Sequence, residues 1–161
     1  MSKSILSKYI IPFVISLFIV FLTGFIGSLF TTPNISNWYA FLNKPSFNPP
    51  NWIFGPVWGF LYFLMGISAF LIWQKRYNLK TKSALGFYGV QLVLNALWSI
   101  IFFGMKNPGL AFLEIIFLLV FIIITAIKFY QIDKKAGLLF IPYILWVSFA
   151  SILNLTVFLL N

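Results

Sequence analysis

Residues 38–58 read WYAFLNKPSFNPPNWIFGPVW. Trp38, Trp52 and Trp58 lie here, with Pro45, Pro49, Pro50 and Pro56, one lysine and no acidic residue. Proline fixes φ and lacks the N–H that a helix interior needs, so no regular helix runs through the 45–50 segment. Indoles offer broad flat faces with a single polar N–H. Long apolar runs flank the stretch on both sides. Rigid, flat and kinked residues in such a place describe a shaped loop. We read it as the wall and lid of a pocket for a flat, largely apolar molecule.

The flanking runs decide the class of protein. The chain has 161 residues, 61% hydrophobic and 8% charged, with a mean hydropathy of +1.00. Soluble domains carry about 25% charged residues. Twenty-one phenylalanines are more rings than a soluble domain of this size hides. Cysteine and histidine are both absent, which excludes disulfides, thiolate chemistry, imidazole bases and the usual metal ligands. Glu114 and Asp133 are the only acids and lie far apart in sequence, so a catalytic carboxylate pair is not expected. No catalytic residue and no metal site are expected.

Runs of about 20 apolar residues are long enough to cross a bilayer as helices. Five occur, at about 9–30, 51–73, 83–103, 108–130 and 136–160. The expected fold is therefore an all-α membrane protein: a five-transmembrane-helix bundle forming one domain over 1–161. Segment 31–50 is the lid loop, with a short helix capped by Ser36 or Asn37 and ended at Lys44-Pro45. The first run is longer than a signal-peptide core and lacks an A-x-A cleavage site, so it is read as a mature span. The net charge of +9 would suggest nucleic acid in a soluble protein, but here the cations sit between spans. Lys3, Lys8, Lys75, Arg76, Lys80, Lys82, Lys128, Lys134 and Lys135 fall on one side, against Lys44 and Lys106 on the other. The positive-inside bias then places the N-terminus in the cytoplasm and the C-terminus outside a plasma or inner membrane.

Polar residues within the spans fall on helical faces. In the third span Gln91, Asn95, Trp98 and Phe102 share a face, and in the fifth Tyr143, Trp146, Ala150 and Asn154 do. Trp58, Tyr62 and Met65 form a similar stripe in the second. Two readings stand: the stripes line a shared cavity, or the amides are interhelical glue and the aromatics an interfacial belt. Trp38, Trp52 and Trp73 suit a belt, whereas Trp98 and Trp146 lie deeper. Glu114 is expected to reach the interface, to meet Lys106 or to stay protonated. Gly55-x-x-x-Gly59 and the Gly24/Ser28 pair allow close helix contact. Pro56 and Pro142 are expected to kink their spans beside Trp58 and Trp146.

WYAFLNKPSFNPP followed by PVW resembles the tryptophan-rich sensory protein and translocator protein family (TspO, peripheral benzodiazepine receptor). Gln91-Leu-Val-Leu-Asn95 with Trp98-Ser and Phe102-Phe103 resembles its third helix, and Pro142-Tyr143 through Trp146, Phe149-Ala150 and Leu153-Asn154 its fifth. The resemblance implies a five-helix bundle, often a homodimer, with a pocket beneath the first loop. Its implied ligands are porphyrins, haem precursors, sterols and synthetic isoquinoline- or benzodiazepine-like molecules. By motif Trp58, Asn95 and Trp146 match ligand contacts, Ala150 a small pocket-wall position, and Tyr39, Pro45 and Trp52 the lid and mouth. Phe47 departs from the tryptophan of many members, and no Tyr, Lys or Arg follows Trp146 to make the sterol motif of vertebrate members.

The expected ligand-binding set is thus Tyr39, Pro45, Trp52, Trp58, Tyr62, Gln91, Asn95, Trp98, Trp146, Phe149 and Ala150. Lys44 is expected at the mouth, placed to pair with ligand carboxylates. The expected partners are a tetrapyrrole or other hydrophobic small molecule and the lipid bilayer, with no nucleic acid. The tetrapyrrole is a ligand rather than a resident cofactor. The leading function is membrane ligand binding or sensing. The alternatives are transport of porphyrins or sterol-like molecules, and light-dependent porphyrin degradation.

Overall fold

The computed structural model describes residues 6–161, so Lys3 of the charge tally lies outside the described residues. One π turn (Leu6–Ile10) leads into α1 (Ile11–Asn37), and a 3-10 turn (Tyr39–Phe41) opens the lid. Then follow α2 (Asn51–Gln74), α3 (Thr81–Ser99, extended by a π turn Ile100–Gly104), α4 (Pro108–Ile132), α5 (Lys134–Leu138) and α6 (Ile141–Leu160). No strand occurs among the described residues. Five helical spans are long and apolar enough to cross a membrane, the last being α5 and α6 together. The protein is a multi-pass membrane bundle.

Two boundaries differ from expectation. The first helix does not stop near Phe30 but runs to Asn37, through Pro33. Proline removes only one backbone donor, and side chains occupy neighbouring carbonyls: Thr31 Oγ1 donates to the Gly27 carbonyl at 3.1 Å and Asn34 Nδ2 to that of Phe30 at 2.9 Å. The separate short helix from Ser36 or Asn37 is therefore not formed. Only the single 3-10 turn stands in its place, and the loop proper is shorter than 31–50. In the fifth span the chain breaks at Leu139–Phe140, so Pro142 falls in the first turn of α6, where its missing N–H costs nothing. It starts a helix rather than kinking one. Pro56 does lie inside α2, which continues through it.

The connections are built from local caps. Asn107 Oδ1 accepts from Leu110 N at 3.0 Å and starts α4. Lys106, just before it, takes the left-handed φ of 54° that turns the chain back. Asp133 caps α5, accepting from the N–H groups of Lys135 (2.9 Å) and Ala136 (3.1 Å), and pairs with Lys75 at 2.8 Å. These contacts hold its carboxyl below the usual carboxylate range, the Lys75 hydrogen bond contributing most.

The core has two parts. Leu61, Met65, Ile72, Tyr88, Leu118, Phe129, Phe140 and Tyr143 pack the end near the 74–82 loop. Tyr39, Phe102, Phe103, Leu153 and Val157 pack beneath the lid. Glycines set some helix spacings: a Cβ on Gly24 would strike the Tyr62 ring at 2.3 Å, and one on Gly66 would meet Leu17 Cδ2 at 2.5 Å. The Gly24 position thus serves α1–α2 packing within the chain. Gly55 and Gly59 have nothing within 4 Å of a built Cβ, so this G-x-x-x-G makes no close helix contact here. Outward-facing Phe18, Phe25, Phe117 and Leu145 are more than half exposed, as lipid-facing side chains are.

Candidate functional site

A hollow of about 240 Å³ lies between the two parts of the core. Every span except α4 contributes to it, and so does the lid. Of the expected set, Tyr39, Trp58, Tyr62, Asn95, Trp98, Trp146 and Ala150 line it. The lid-ward parts of the stripes read from α2, α3 and α6 meet on one space, while Met65, Gln91 and Tyr143 of the same stripes are buried and do not line it.

Hydrogen bonds fix the polar part of this wall. Tyr62 Oη donates to Asn95 Oδ1 at 2.8 Å, and Asn95 Nδ2 donates to Tyr143 Oη at 2.9 Å. Tyr143 Oη donates to Gln91 Oε1 at 3.1 Å, and Gln91 Nε2 faces Met65 Sδ at 3.9 Å. This chain ties α2, α3 and α6 together under the hollow. A second link runs from Trp98 Nε1 to Asn154 Oδ1 at 2.9 Å, and from Asn154 Nδ2 to the Pro108 carbonyl at 2.7 Å. The amides thus act as glue and as wall at once, so the two readings of the stripes are not exclusive.

Aromatic faces make the rest. Trp58 leans on Tyr62 at 5.4 Å and meets Tyr143 edge-on at 6.1 Å. Trp146 meets Phe54 edge-on at 6.1 Å, across from α2. Trp98 stacks on Phe102 at 5.1 Å. Trp38 packs edge-on against Phe102 at 5.5 Å, so it belongs to the lid's underside and not to a belt.

The lid is latched twice. Tyr39 Oη donates to Asn48 Oδ1 at 2.6 Å, closing the loop on itself. Burial pushes the Tyr39 phenol up to about 12, against the lowering effect of that bond, so it remains a donor. At the far edge Asn43 N donates to Asn161 Oδ1 at 2.9 Å and Asn161 Nδ2 donates to the Asn43 carbonyl at 3.0 Å.

Five expected site residues do not line the hollow. Gln91 is fully buried beneath it and supports Tyr143. Phe149 lies behind Trp146 at 5.6 Å and against Phe47 at 6.3 Å. Pro45 shapes the loop from a half-buried position. Trp52 is 74% exposed, because the first turn of α2 points it away from the bundle. Lys44 donates to the carbonyls of Tyr39 (2.8 Å), Ala40 (3.1 Å) and Leu42 (2.8 Å), so its ammonium is committed to holding the loop rather than offered at a mouth. Glu114 is buried, and neither carboxyl oxygen has a hydrogen-bond partner among the described residues. It neither reaches the interface nor meets Lys106.

The contribution of α1 is absent from the expected set. Gly24, Gly27, Ser28, Thr31, Thr32 and Ile35 form one side of the hollow. Their signal was the small and hydroxylic face of an otherwise bulky helix. Ser28 Oγ and Thr31 Oγ1 satisfy themselves on backbone carbonyls at 2.7 and 3.1 Å, leaving that wall smooth. Ser28 and Thr32 on α1, with Asn51 and Gly55 on α2, are both lining and exposed, so the hollow opens between these two helices.

The TspO/MBR family profile matches residues 16–160. The tryptophan-rich protein TspO of Archaeoglobus fulgidus is 43% identical over 152 residues, covering 94% of this chain and 98% of that relative. The tryptophan-rich sensory protein of Cereibacter sphaeroides is 39% identical, covering 91% and 92%. The human translocator protein is 39% identical, covering 81% and 78%.

Proposed function

This chain belongs to the TspO/MBR family, and we propose on that footing that its hollow binds a tetrapyrrole or a similarly flat, apolar molecule. The observation that carries the reading is the convergence of Trp58, Trp98 and Trp146 with Asn95 and Tyr62 on one space. Indole faces stack on a conjugated ring. The Tyr62–Asn95–Tyr143 chain supplies fixed polar atoms at the base, where a pyrrole N–H or a ligand carbonyl finds partners. Pockets for drug-sized ligands run about 300–1,000 Å³. At about 240 Å³ this hollow is below that range. A whole macrocycle therefore requires either the lid to lift or part of the ring to project through the gap between α1 and α2.

Titration of the purified protein with protoporphyrin, followed by tryptophan emission, tests the reading. Saturable quenching is expected, weakened at least tenfold by Trp146→Ala and by Ala150→Leu, which fills the wall. Because Trp52 points outward, Trp52→Phe should leave the affinity unchanged. Linear, unsaturable quenching, or equal loss in all three variants, sinks the proposal.

The same reading sets the orientation. Of the nine cations on the basic side, the eight described ones lie near the start of α1, the end of α2 and start of α3, the end of α4 and in α5, opposite the lid, while Lys44 and Lys106 lie at the other end. By the positive-inside rule that end is cytoplasmic, and the lid faces outward.

A further inference from the structure

A second cavity lies at the lysine-rich end, outside the hollow described above. It holds about 620 Å³ between the start of α1, the end of α2 and α3. Its α1 wall is Ile11, Ile15 and Ile19, which recur every fourth residue on one face. Leu85 and Leu92 form the α3 wall, with Gly89 between them and open space where a Cβ would stand. The result is an apolar trough along the bundle surface, with Trp73 at its polar end.

Lys8 and Arg76 close that polar end. The Lys8 ammonium rests 5.3 Å from the Tyr9 ring and the Arg76 guanidinium 4.8 Å from the Tyr77 ring. Neither has a carboxylate partner among the described residues. The chain's two acids are elsewhere: Asp133 is bound by Lys75 at 2.8 Å, and Glu114 is buried in α4. The two cations are also held in register. Pro12 has no N–H to return to the Lys8 carbonyl, and Gln74 Nε2, two residues before Arg76, donates to that carbonyl at 3.0 Å. The α1 and α2 ends are thus stapled across the trough.

We propose that this trough holds one acidic phospholipid of the surrounding bilayer. Its phosphate is taken by Arg76 and Lys8, and one acyl chain lies along Ile11–Ile19 opposite Gly89. The guanidinium fork matches a phosphate's geometry, and an anionic headgroup supplies the counter-charge the chain lacks. A free phosphate would use the cations but leave the apolar trough unfilled, so the lipid is the occupant that matches both halves.

The test is native mass spectrometry of the full chain in detergent, mixed with dioleoyl phosphatidylglycerol or dioleoyl phosphatidylcholine. One phosphatidylglycerol per chain should be retained, about thirtyfold more tightly than phosphatidylcholine, the combined worth of two cations at an anionic headgroup. Lys8→Gln with Arg76→Gln should bring the two lipids level. Gly89→Leu should lower retention of both, while millimolar inorganic phosphate displaces neither. Equal retention of the two lipids by the native protein overturns the proposal, as does displacement by phosphate. So does a Gly89→Leu variant that changes the dimer fraction with lipid retention unaltered, which would make the trough a contact between copies. Porphyrin binding is the fold control: it should be unchanged in the double variant, whose residues lie away from the hollow.

Discussion

Asn95 shows how one side chain ties three helices together beside the hollow. Its amide accepts from Tyr62 and donates to Tyr143, so one lone pair and one N–H are committed before any ligand arrives and one of each remains. Asn95→Leu would leave the Tyr62 hydroxyl without its acceptor in a water-poor interior and remove the donor to Tyr143, which keeps its bond to Gln91. Interhelical hydrogen bonds in membrane bundles are worth about 1 kcal/mol. We expect Asn95→Leu to lower the thermal midpoint in detergent by that order and to weaken porphyrin binding as well. An unshifted melt would show that the bond chain carries no stability. Lys44 illustrates the opposite outcome at this scale. A lone cation beside a binding loop reads as a ligand anchor, yet its three protons are spent on the carbonyls of Tyr39, Ala40 and Leu42.

Among the elements, the α4–α5 junction depends most visibly on a few atoms. Asp133 joins a helix cap to an ion pair with Lys75, and Gly137 lets the turn pass Tyr130, whose backbone would lie 2.6 Å from an added Cβ. The Asp133 carboxyl is held below its ordinary value, so the charged form is favoured by folding. Stability from it is present above the unfolded value, about 4, and is lost as the pH falls through the lower folded value. Asp133→Ala should cost about 1 kcal/mol near neutrality, the usual worth of a cap. Asp133→Asn, which keeps the cap without the charge, should cost less. The gap between wild type and Asp133→Asn should close below about pH 4. A gap that persists in acid would mean that the charge is not the stabilising feature.

For the whole molecule, the testable property is direction in the bilayer. The natural chain has no cysteine, so single cysteines report their own surroundings. Leu79 is 98% exposed in the 74–82 loop, and Asn43 sits at the lid edge. In intact cells Asn43→Cys should react with a membrane-impermeant maleimide and Leu79→Cys only after permeabilisation. The reverse pattern would invert the proposed orientation, and labelling of both would contradict a crossing by α2, the one span between them.

The number of spans, the stripes of α2, α3 and α6, and the family were legible in the residues themselves. A bilayer demands about 20 apolar residues per crossing, and helical periodicity is a local rule that a chain cannot hide. What local rules could not supply came from packing between elements. The role of α1 as a wall appears only where Gly24 lets it close on Tyr62. Trp52 turns outward and Trp146 inward although both are indoles beside a lid, since helix phase against neighbouring helices, and not residue type, decides which face meets the hollow. The sequence alone therefore determined how many helices cross the membrane and which residue types line their faces. Only the tertiary structure decided which faces meet, because that depends on contacts between residues far apart in the chain.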